Sequence, residues 1–473
     1  MKPNVLFLVI DSLRQDKCIG KNKSSFTPNL DKLIESGTFF SQTISAAPIT
    51  IPSLSSIFTG NYPFQCTTLD NGLYNLKSNM QTYIGDFMNS DYNTYSLIPD
   101  ALSHTQIPKL FNESDFFDSF STLYDGLGEK ILEKIRNFPN NNPWLFYIHL
   151  EDLHGSAIFH FKNNEETIKN YSGKNQYEKM LSAIDLWLGK FLKLLEKSNT
   201  IIIITSDHGS TSADYTNEMF KFNQQNDLIR KHDQKIFYKI GHKIFSSFPK
   251  QFEIIRKKTA TAYTKNRNKN TAKKLSEREH DIEKLNPTQY QKRLLKKSVT
   301  FPNDCYDENF RPALLFYGPN VPKNKIIHKQ ISSIDIFPTI LELLKINSTI
   351  TSSGRSVLSL FTNGNFEEKP VFLDSSLEST SKLNDTIGVR TNKFKYFRHR
   401  NDPNKNVHLF DLENDPFELC NICTKNANIV KSLENELLQI NPSGDFTFKK
   451  TNELNKDDTE KAKEILRQLG YIK

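Results

Sequence analysis

Five consecutive β-branched residues, Ile201-Ile202-Ile203-Ile204-Thr205, run directly into Ser206-Asp207-His208-Gly209. A run this short and this apolar suits a strand covered on both faces, because branched side chains pack well on a pleated surface and crowd a helix. Val5–Ile10, Thr94–Ile98 and Trp144–Leu150 have the same character. Helix-like segments lie between these runs. Thr27-Pro28 reads as an N-cap followed by proline at the first helical position, with Gly37 closing the helix. Gln176–Lys197 places Met180, Leu181, Ile184, Leu188, Phe191 and Leu195 close to a 3.6-residue period. Strands alternating with helices predict an α/β fold, a mostly parallel sheet with helices on both faces.

Ala313–Tyr317 as a strand and Ile336–Leu344 as a helix resume the pattern after an interruption at about 215–300. That interruption is chemically distinct. Residues 221–300 hold 21 Lys and Arg against 7 Asp and Glu, a local +14, and the rest of the chain has 41 against 47, or −6. An acidic body therefore carries one basic segment. The expected organisation is a main domain over 1–345, interrupted at about 215–300, and a smaller C-terminal α+β subdomain over 346–473. Gly388–Arg390, Lys395–Arg398 and His408–Asp411 are the candidate strands of that subdomain. With 473 residues the chain can bury a large core without disulfide or metal staples.

Cysteine and hydropathy patterns bear on location. Cys18, Cys66, Cys305, Cys420 and Cys423 are an odd number in a long chain, which argues for a reducing compartment. Cys420 and Cys423 form a lone C-x-x-C with no second pair or nearby histidine, a poor zinc site. No apolar run approaches the roughly 20 residues of a membrane-spanning helix. Val5–Ile10 is too short for a secretory h-region and lacks a small-residue cleavage site after it. The expectation is a cytoplasmic protein, peripheral to a membrane at most.

Working groups in open α/β sheets sit beyond the C-terminal ends of the strands. Asp11 follows the first strand, Asp152 and His154 follow the third, and Asp207 and His208 follow the fourth. Carboxylates and imidazoles converging from three strand ends make a plausible site for one divalent metal. Mixed oxygen and nitrogen ligands suit zinc, manganese or a related ion better than calcium. A further element is Ala47 through Gly60, where Pro52 reads as an early helical residue and Gly60 as a stop. Thr50 then falls just before a helix N-terminus, where free N–H groups favour an anion or a developing alkoxide.

These motifs, taken in order, resemble the sulfatase family of the alkaline phosphatase superfamily. The series is Asp11-Ser12-Leu13-Arg14, Thr27-Pro28-Asn29-Leu30-Asp31, Ala47 to Gly60, Tyr62-Pro63 and Thr205 to Gly209. It continues with Arg311 to Leu315, Gly318 to Pro322, Asp335 to Thr339, Val389-Arg390-Thr391, Lys395-Tyr396 and Leu409 to Pro416. The resemblance implies an alkaline-phosphatase-like fold and a metal-assisted ester hydrolase or transferase. By that resemblance Asp11, Asp207 and His208 match metal ligands, and Thr50 matches a nucleophile that also touches the metal. His154 matches a histidine contacting the transferred group in related phosphotransferases. Asp152 is a weaker candidate, either a substrate-side residue that orients His154 or a surface turn residue. The metal itself, zinc, manganese, magnesium or calcium, stays open, and nothing supports a second ion.

The departures carry chemical weight. The family pattern C-x-P-S-R places Cys or Ser at position 50, which is oxidised to formylglycine, and Arg at position 54; here Thr50 and Leu54 stand there. Ser12 replaces a second acidic residue, and the basic residues expected soon after Gly209 are absent. A formylglycine hydrate has two hydroxyls, one to accept sulfate and one to expel it. Threonine has one. A phosphothreonine can instead be resolved by in-line attack on phosphorus, with metal assistance. The expected activity is a phosphodiesterase or phosphotransferase on an anionic glycan- or lipid-linked ester. The alternatives are a sulfatase working without formylglycine and a catalytically silent anion-binding scaffold. For residues 221–300 the interleaved Phe237, Tyr238, Ile240, Phe245 and Phe248 suggest an amphipathic lid facing an anionic membrane surface or polymer rather than nucleic acid. His232, His242 and His280 read as surface residues of that segment.

Overall fold

The computed structural model describes residues 2–139, 141–154, 171–226, 228–229, 273–300, 304–375, 385–451, 454 and 456–469. Two compact units make up the chain, Asp214–Pro302 and everything else. The described residues of the smaller unit include the helices Glu279–Glu283 and Gln289–Thr300. His280 is exposed there, beside Asp281 at 3.1 Å. His232, His242 and the aromatic residues behind the lid expectation lie outside the described residues.

The larger unit is built on an eight-stranded sheet. In chain order its strands are β1 (Asn4–Ile10), β2 (Thr38–Phe40), β3 (Asn93–Pro99), β4 (Glu113–Phe117), β5 (Trp144–Leu150), β6 (Thr200–Thr205), β7 (Leu314–Tyr317) and β8 (Lys325–Ile327). The spatial order is β8-β2-β7-β6-β1-β5-β3-β4. Every neighbouring pair is parallel except the two that involve β7, so one strand runs against the rest. The expected mostly parallel α/β sheet is what the chain forms. The three strands with chemistry at their ends, β6, β1 and β5, lie side by side at the centre, with Val9 registered between Thr205 and His149.

Helices close both faces. Helix α1 (Pro28–Glu35) begins with the expected proline, but the Thr27 side chain does not cap it. The Asp185 carboxylate does so from α3 (Gln176–Leu195), accepting from the Asn29 and Leu30 amides at 3.1 and 2.8 Å. Gly37 also differs from its expected role. Ser36 is the C-cap, and Gly37 is needed because a Cβ there would meet Phe316 O at 2.3 Å. The predicted apolar stripe of α3 is buried along its whole length. On the other face, α2 (Thr50–Thr59) and α4 (Ile336–Leu344) bring Leu54, Ile57, Phe58, Phe337 and Ile340 down onto Val5, Phe7, Val9, Tyr147, Ile201 and Ile203. Phe58 meets the Tyr147 ring edge-on at 5.2 Å. Burying each large side chain of this layer contributes roughly 1.5–3 kcal/mol, so the layer under α2 is stiff where the site needs it.

The C-terminal subdomain is a four-stranded antiparallel sheet, β9 (Val371–Ser375), β10 (Thr386–Arg390), β11 (Phe394–His399) and β12 (His408–Asp411), with α5 (Ala427–Ile440) packed on it. The chain then turns back. Lys449–Thr451 pairs with Thr67–Asp70 of the N-terminal half, a return that no sequence signal announced.

Buried charges join this sheet to the segment beside the strand ends. Arg390 holds Asp307 through two hydrogen bonds, at 3.0 and 2.9 Å. Lys395, fully buried, pairs with Asp307 and with Glu418, the latter at 2.7 Å. Burial alone would raise the Asp307 carboxyl, but Arg390 and Lys395 outweigh it and hold the group well below its ordinary range. Two residues on, Asn309 O accepts from Gly209 N at 2.9 Å, and Phe310 O accepts from Ser45 N at 2.8 Å. The C-terminal sheet thus braces the loop that carries Asp207 and His208. Lys395→Met should cost about 3–5 kcal/mol, because it removes the cation shared by two buried carboxylates and leaves Glu418 without its lysine, while Asp307 keeps Arg390. Urea denaturation of wild type and variant at one pH measures this, and a loss below about 1 kcal/mol would show that the cluster braces nothing.

Candidate metal centre and nucleophile

The site is assembled from short loops, each tied down by its own hydrogen bonds. Asp11 adds one more ladder bond to β1, from its amide to Leu150 O at 2.8 Å. Ser12 then turns into the left-handed region at φ 66°, a conformation that costs a non-glycine residue energy and needs local support. Tyr177 Oη supplies it by donating to Ser12 O at 2.8 Å. The Ser12 hydroxyl, standing where the family pattern has an acid, donates to Asp11 Oδ1 at 2.8 Å.

Beyond β6, the Ser206 hydroxyl accepts from the Leu13 amide at 3.0 Å and donates to His208 O at 2.7 Å. This locks the two strand-end loops together. Asp207 is fully buried, and its backbone carbonyl accepts from the hydroxyls of Ser45 and Ser53 at 2.8 and 2.6 Å. Gly209 is sterically required, since a Cβ there would lie 2.3 Å from Glu308 O. His208 Nδ1 donates to Gly209 O at 2.8 Å, which leaves Nε2 facing the carboxylates. That nitrogen lies 3.4 Å from Asp207 Oδ2 and 3.8 Å from Asp11 Oδ1.

Asp11, Asp207 and His208 therefore present three ligand atoms within 4.8 Å of one another, all from buried residues. Burial pulls the His208 imidazole down, but Asp207 and Asp11 outweigh it and its proton affinity rises. Burial likewise raises Asp11, and the neighbouring imidazoles of His149, His154 and His208 reverse that. The pocket attracts positive charge, and two carboxylates with one imidazole fit a divalent metal.

Thr50 does not precede the helix, as its place in the sequence suggested. It is the first residue inside α2, and Ile49 is the cap. The difference matters, because Thr50 Oγ1 is then not consumed by capping. It is buried and carries no hydrogen bond. Ser53, one turn later, docks on Asp207 O as described, so the first turn of α2 sits on the ligand loop. Pro52 contributes by lacking an N–H at a position where none has a helical partner. Gly60 ends the helix at φ 67°, as its composition predicts.

His154 and Asp152 separate. The His154 amide bonds to Glu151 O at 2.8 Å, and its ring is within electrostatic reach of Asp11, His208 and Asp207. Burial lowers its pKa. Asp152 is neither a surface turn residue nor an orienter of that ring. It is fully buried, and its Oδ1 accepts from the Leu123 amide at 3.0 Å. Burial pushes its carboxyl up to about 7. The folded state therefore prefers the neutral acid, and the stability this gives is present at pH 4 and lost as pH rises toward 7. Asp152→Asn keeps an acceptor for Leu123 without the charge. Its melting temperature should match wild type near pH 4 and exceed it at pH 7.5. A pH-independent difference would show that Asp152 is ionised throughout.

Sequence reasoning missed His149. It is fully buried in β5, with Nδ1 2.9 Å from Tyr147 Oη and Nε2 4.0 Å from Asp11 Oδ2. A lone histidine in an otherwise apolar strand, one residue short of its end, was the available signal.

Comparison with known proteins agrees with this architecture. Residues 3–346 match the model of the family described as Sulfatase, and residues 303–443 match the C-terminal domain of N-sulphoglucosamine sulphohydrolase. Arylsulfatase K of Mus musculus is 30% identical over 141 residues, 28% of this chain. The chain spans about a quarter of that protein's length, 26%. The phosphonate monoester hydrolase of Agrobacterium radiobacter superposes with a TM-score of 0.62 at 14% identity, covering 94% of this chain and 96% of that one. A structure named BT4656, in complex with its substrate D-glucosamine-2-N,6-O-disulfate, gives 0.61 at 15% identity, covering 94% and 99%. Likeness at such identities speaks for the fold. With the family match extending over most of the chain, and the strand-end residues in their places, the protein belongs to the sulfatase family of the alkaline phosphatase superfamily.

Proposed function

We propose that the chain is a metal-dependent hydrolase or transferase of phosphorus esters, with Thr50 as the nucleophile. The observation that carries this reading is the Thr50 hydroxyl, buried, free of hydrogen bonds and set in the helix turn that docks on Asp207. Asp11, Asp207 and His208 would hold one divalent ion, which would supply charge neutralisation and a lowered hydroxyl pKa. Thr50 Oγ1 gives up its proton to solvent and attacks phosphorus as the bond to the leaving alcohol breaks. His154 steadies a non-bridging oxygen or gives the leaving oxygen its proton. A water or sugar hydroxyl then attacks the phosphothreonine in line and frees Thr50 Oγ. The first turn of α2 adds N–H groups to the oxyanion side.

A single hydroxyl at position 50 favours phosphate over sulfate, since the elimination that releases sulfate from a formylglycine hydrate needs a second one. The substrate class we favour is an anionic glycan- or lipid-linked phosphodiester. The test is metal content together with turnover of an aryl phosphodiester, an aryl phosphate and an aryl sulfate. Phosphoester turnover with bound metal supports the reading. Sulfate turnover alone would overturn it in favour of a sulfatase, and metal-free inert protein would leave a scaffold.

A further inference from the structure

The proposed chemistry leaves one buried imidazole beside the ligand cluster without a task. His149 is fully buried, and its Nε2 carries no hydrogen bond. Leaving a buried polar group unsatisfied costs about 1–3 kcal/mol, so an apolar residue would serve the strand better if packing were all that mattered. The surroundings point one way. Tyr147 Oη lies 2.9 Å from Nδ1. On the other side of the ring, Nε2 faces Asp11 Oδ2 at 4.0 Å, while Asp11 Oδ1 faces His208 Nε2 at 3.8 Å. The Asp11 carboxylate thus has one oxygen on the ligand side and one on the His149 side. His149 is not itself part of the group of ligand atoms that lie within 4.8 Å of one another.

We propose that His149 is a positioning residue for Asp11, held in one tautomer by Tyr147. With the Tyr147 hydroxyl donating to Nδ1, the ring proton sits on Nε2 and is aimed at Asp11 Oδ2. Asp11 Oδ1 is thereby turned toward the metal. The separation is roughly 1 Å beyond a hydrogen bond, a gap closed by a small carboxylate rotation when an ion draws Oδ1 inward, or by one bridging water. This rests on Asp11 being a ligand. Partners that orient ligating groups are worth about 10–100-fold in metal affinity.

The experiment is titration of metal-free protein with Mn²⁺ and with Zn²⁺ by calorimetry, for wild type, His149→Phe, His149→Gln, Tyr147→Phe and Asp11→Ala. Melting of each metal-free protein is the control for folding. His149→Phe should bind both ions about 10–100-fold more weakly, with metal-free melting close to wild type. His149→Gln, whose amide N–H can replace the donor, should recover most of the affinity. Tyr147→Phe should fall between them, because the tautomer is released. Wild-type affinity in His149→Phe overturns the proposal, as does an equal loss in His149→Phe and His149→Gln, which marks packing alone. If His149→Phe does not fold, the contrast between His149→Gln and Tyr147→Phe still decides it: wild-type affinity in Tyr147→Phe overturns it. Undiminished affinity in Asp11→Ala sinks the ligand assignment itself, a result distinct from failure of the His149 role alone.

Discussion

Thr50→Ala should lose several orders of magnitude in kcat on an aryl phosphodiester while still binding metal through Asp11, Asp207 and His208. Deleting a nucleophile removes a bond made in the transition state rather than a ground-state contact, and losses near 10⁶-fold are the known scale for such deletions, as a rough guide. The residue is buried at the first turn of α2 and makes no hydrogen bond, so its removal should leave stability within about 1 kcal/mol. Thr50→Ser restores the hydroxyl without the methyl group and should recover most of the rate. The same series separates phosphorus from sulfur chemistry. If a Thr50→Cys, Leu54→Arg variant, which restores the C-x-P-S-R pattern, gained sulfate turnover after coexpression with a formylglycine-generating system while wild type lacked it, the single hydroxyl would be what excludes sulfate esters. A Thr50→Ala enzyme with wild-type turnover would remove Thr50 from the mechanism.

Asp207→Ala should abolish tight metal binding. Two buried carboxylates and one imidazole within 4.8 Å become one carboxylate and one imidazole, too few donors for a stable divalent site. The fold should survive without the ion: the Asp207 carboxylate accepts from its neighbours, the His208 amide at 2.9 Å and the Ser206 hydroxyl at 3.2 Å, while the bonds that reach across to Ser45 and Ser53 are made by its backbone carbonyl. Those bonds persist in the alanine variant. Removing one of two mutually repelling buried carboxylates should even raise metal-free melting slightly. Metal analysis after dialysis against a trace-ion buffer reads the first effect and thermal melting the second. Equal metal content in wild type and variant would remove the centre from this protein. Loss of metal together with collapse of metal-free melting would show instead that the carboxylate is structural.

The positions of the central strands and their mostly parallel arrangement were legible in the residues themselves. Short β-branched runs can bury both faces only in a covered sheet, and an aspartate or histidine directly after such a run can only emerge at its edge. Asp11, Asp207 and His208 therefore declared themselves, and so did the stop of α2 at Gly60, because these follow from neighbours within a few positions. What depended on residues far apart in the chain did not. The cap of α1 is Asp185, about 155 positions away in α3. Asp152 reads as a turn residue until Leu123 is found above it, and burial then changes its charge. His149 became part of the site only when Tyr147 and Asp11 were brought to its two nitrogens. Lys395, whose motif marked the family, took on a physical role only beside Asp307 and Glu418. Local pattern determined the strands, the helices and the candidate ligands, because propensity and periodicity act over a turn or two. Burial, tautomer and charge partners were decided by tertiary packing, because they depend on which distant groups exclude water from the same few ångströms.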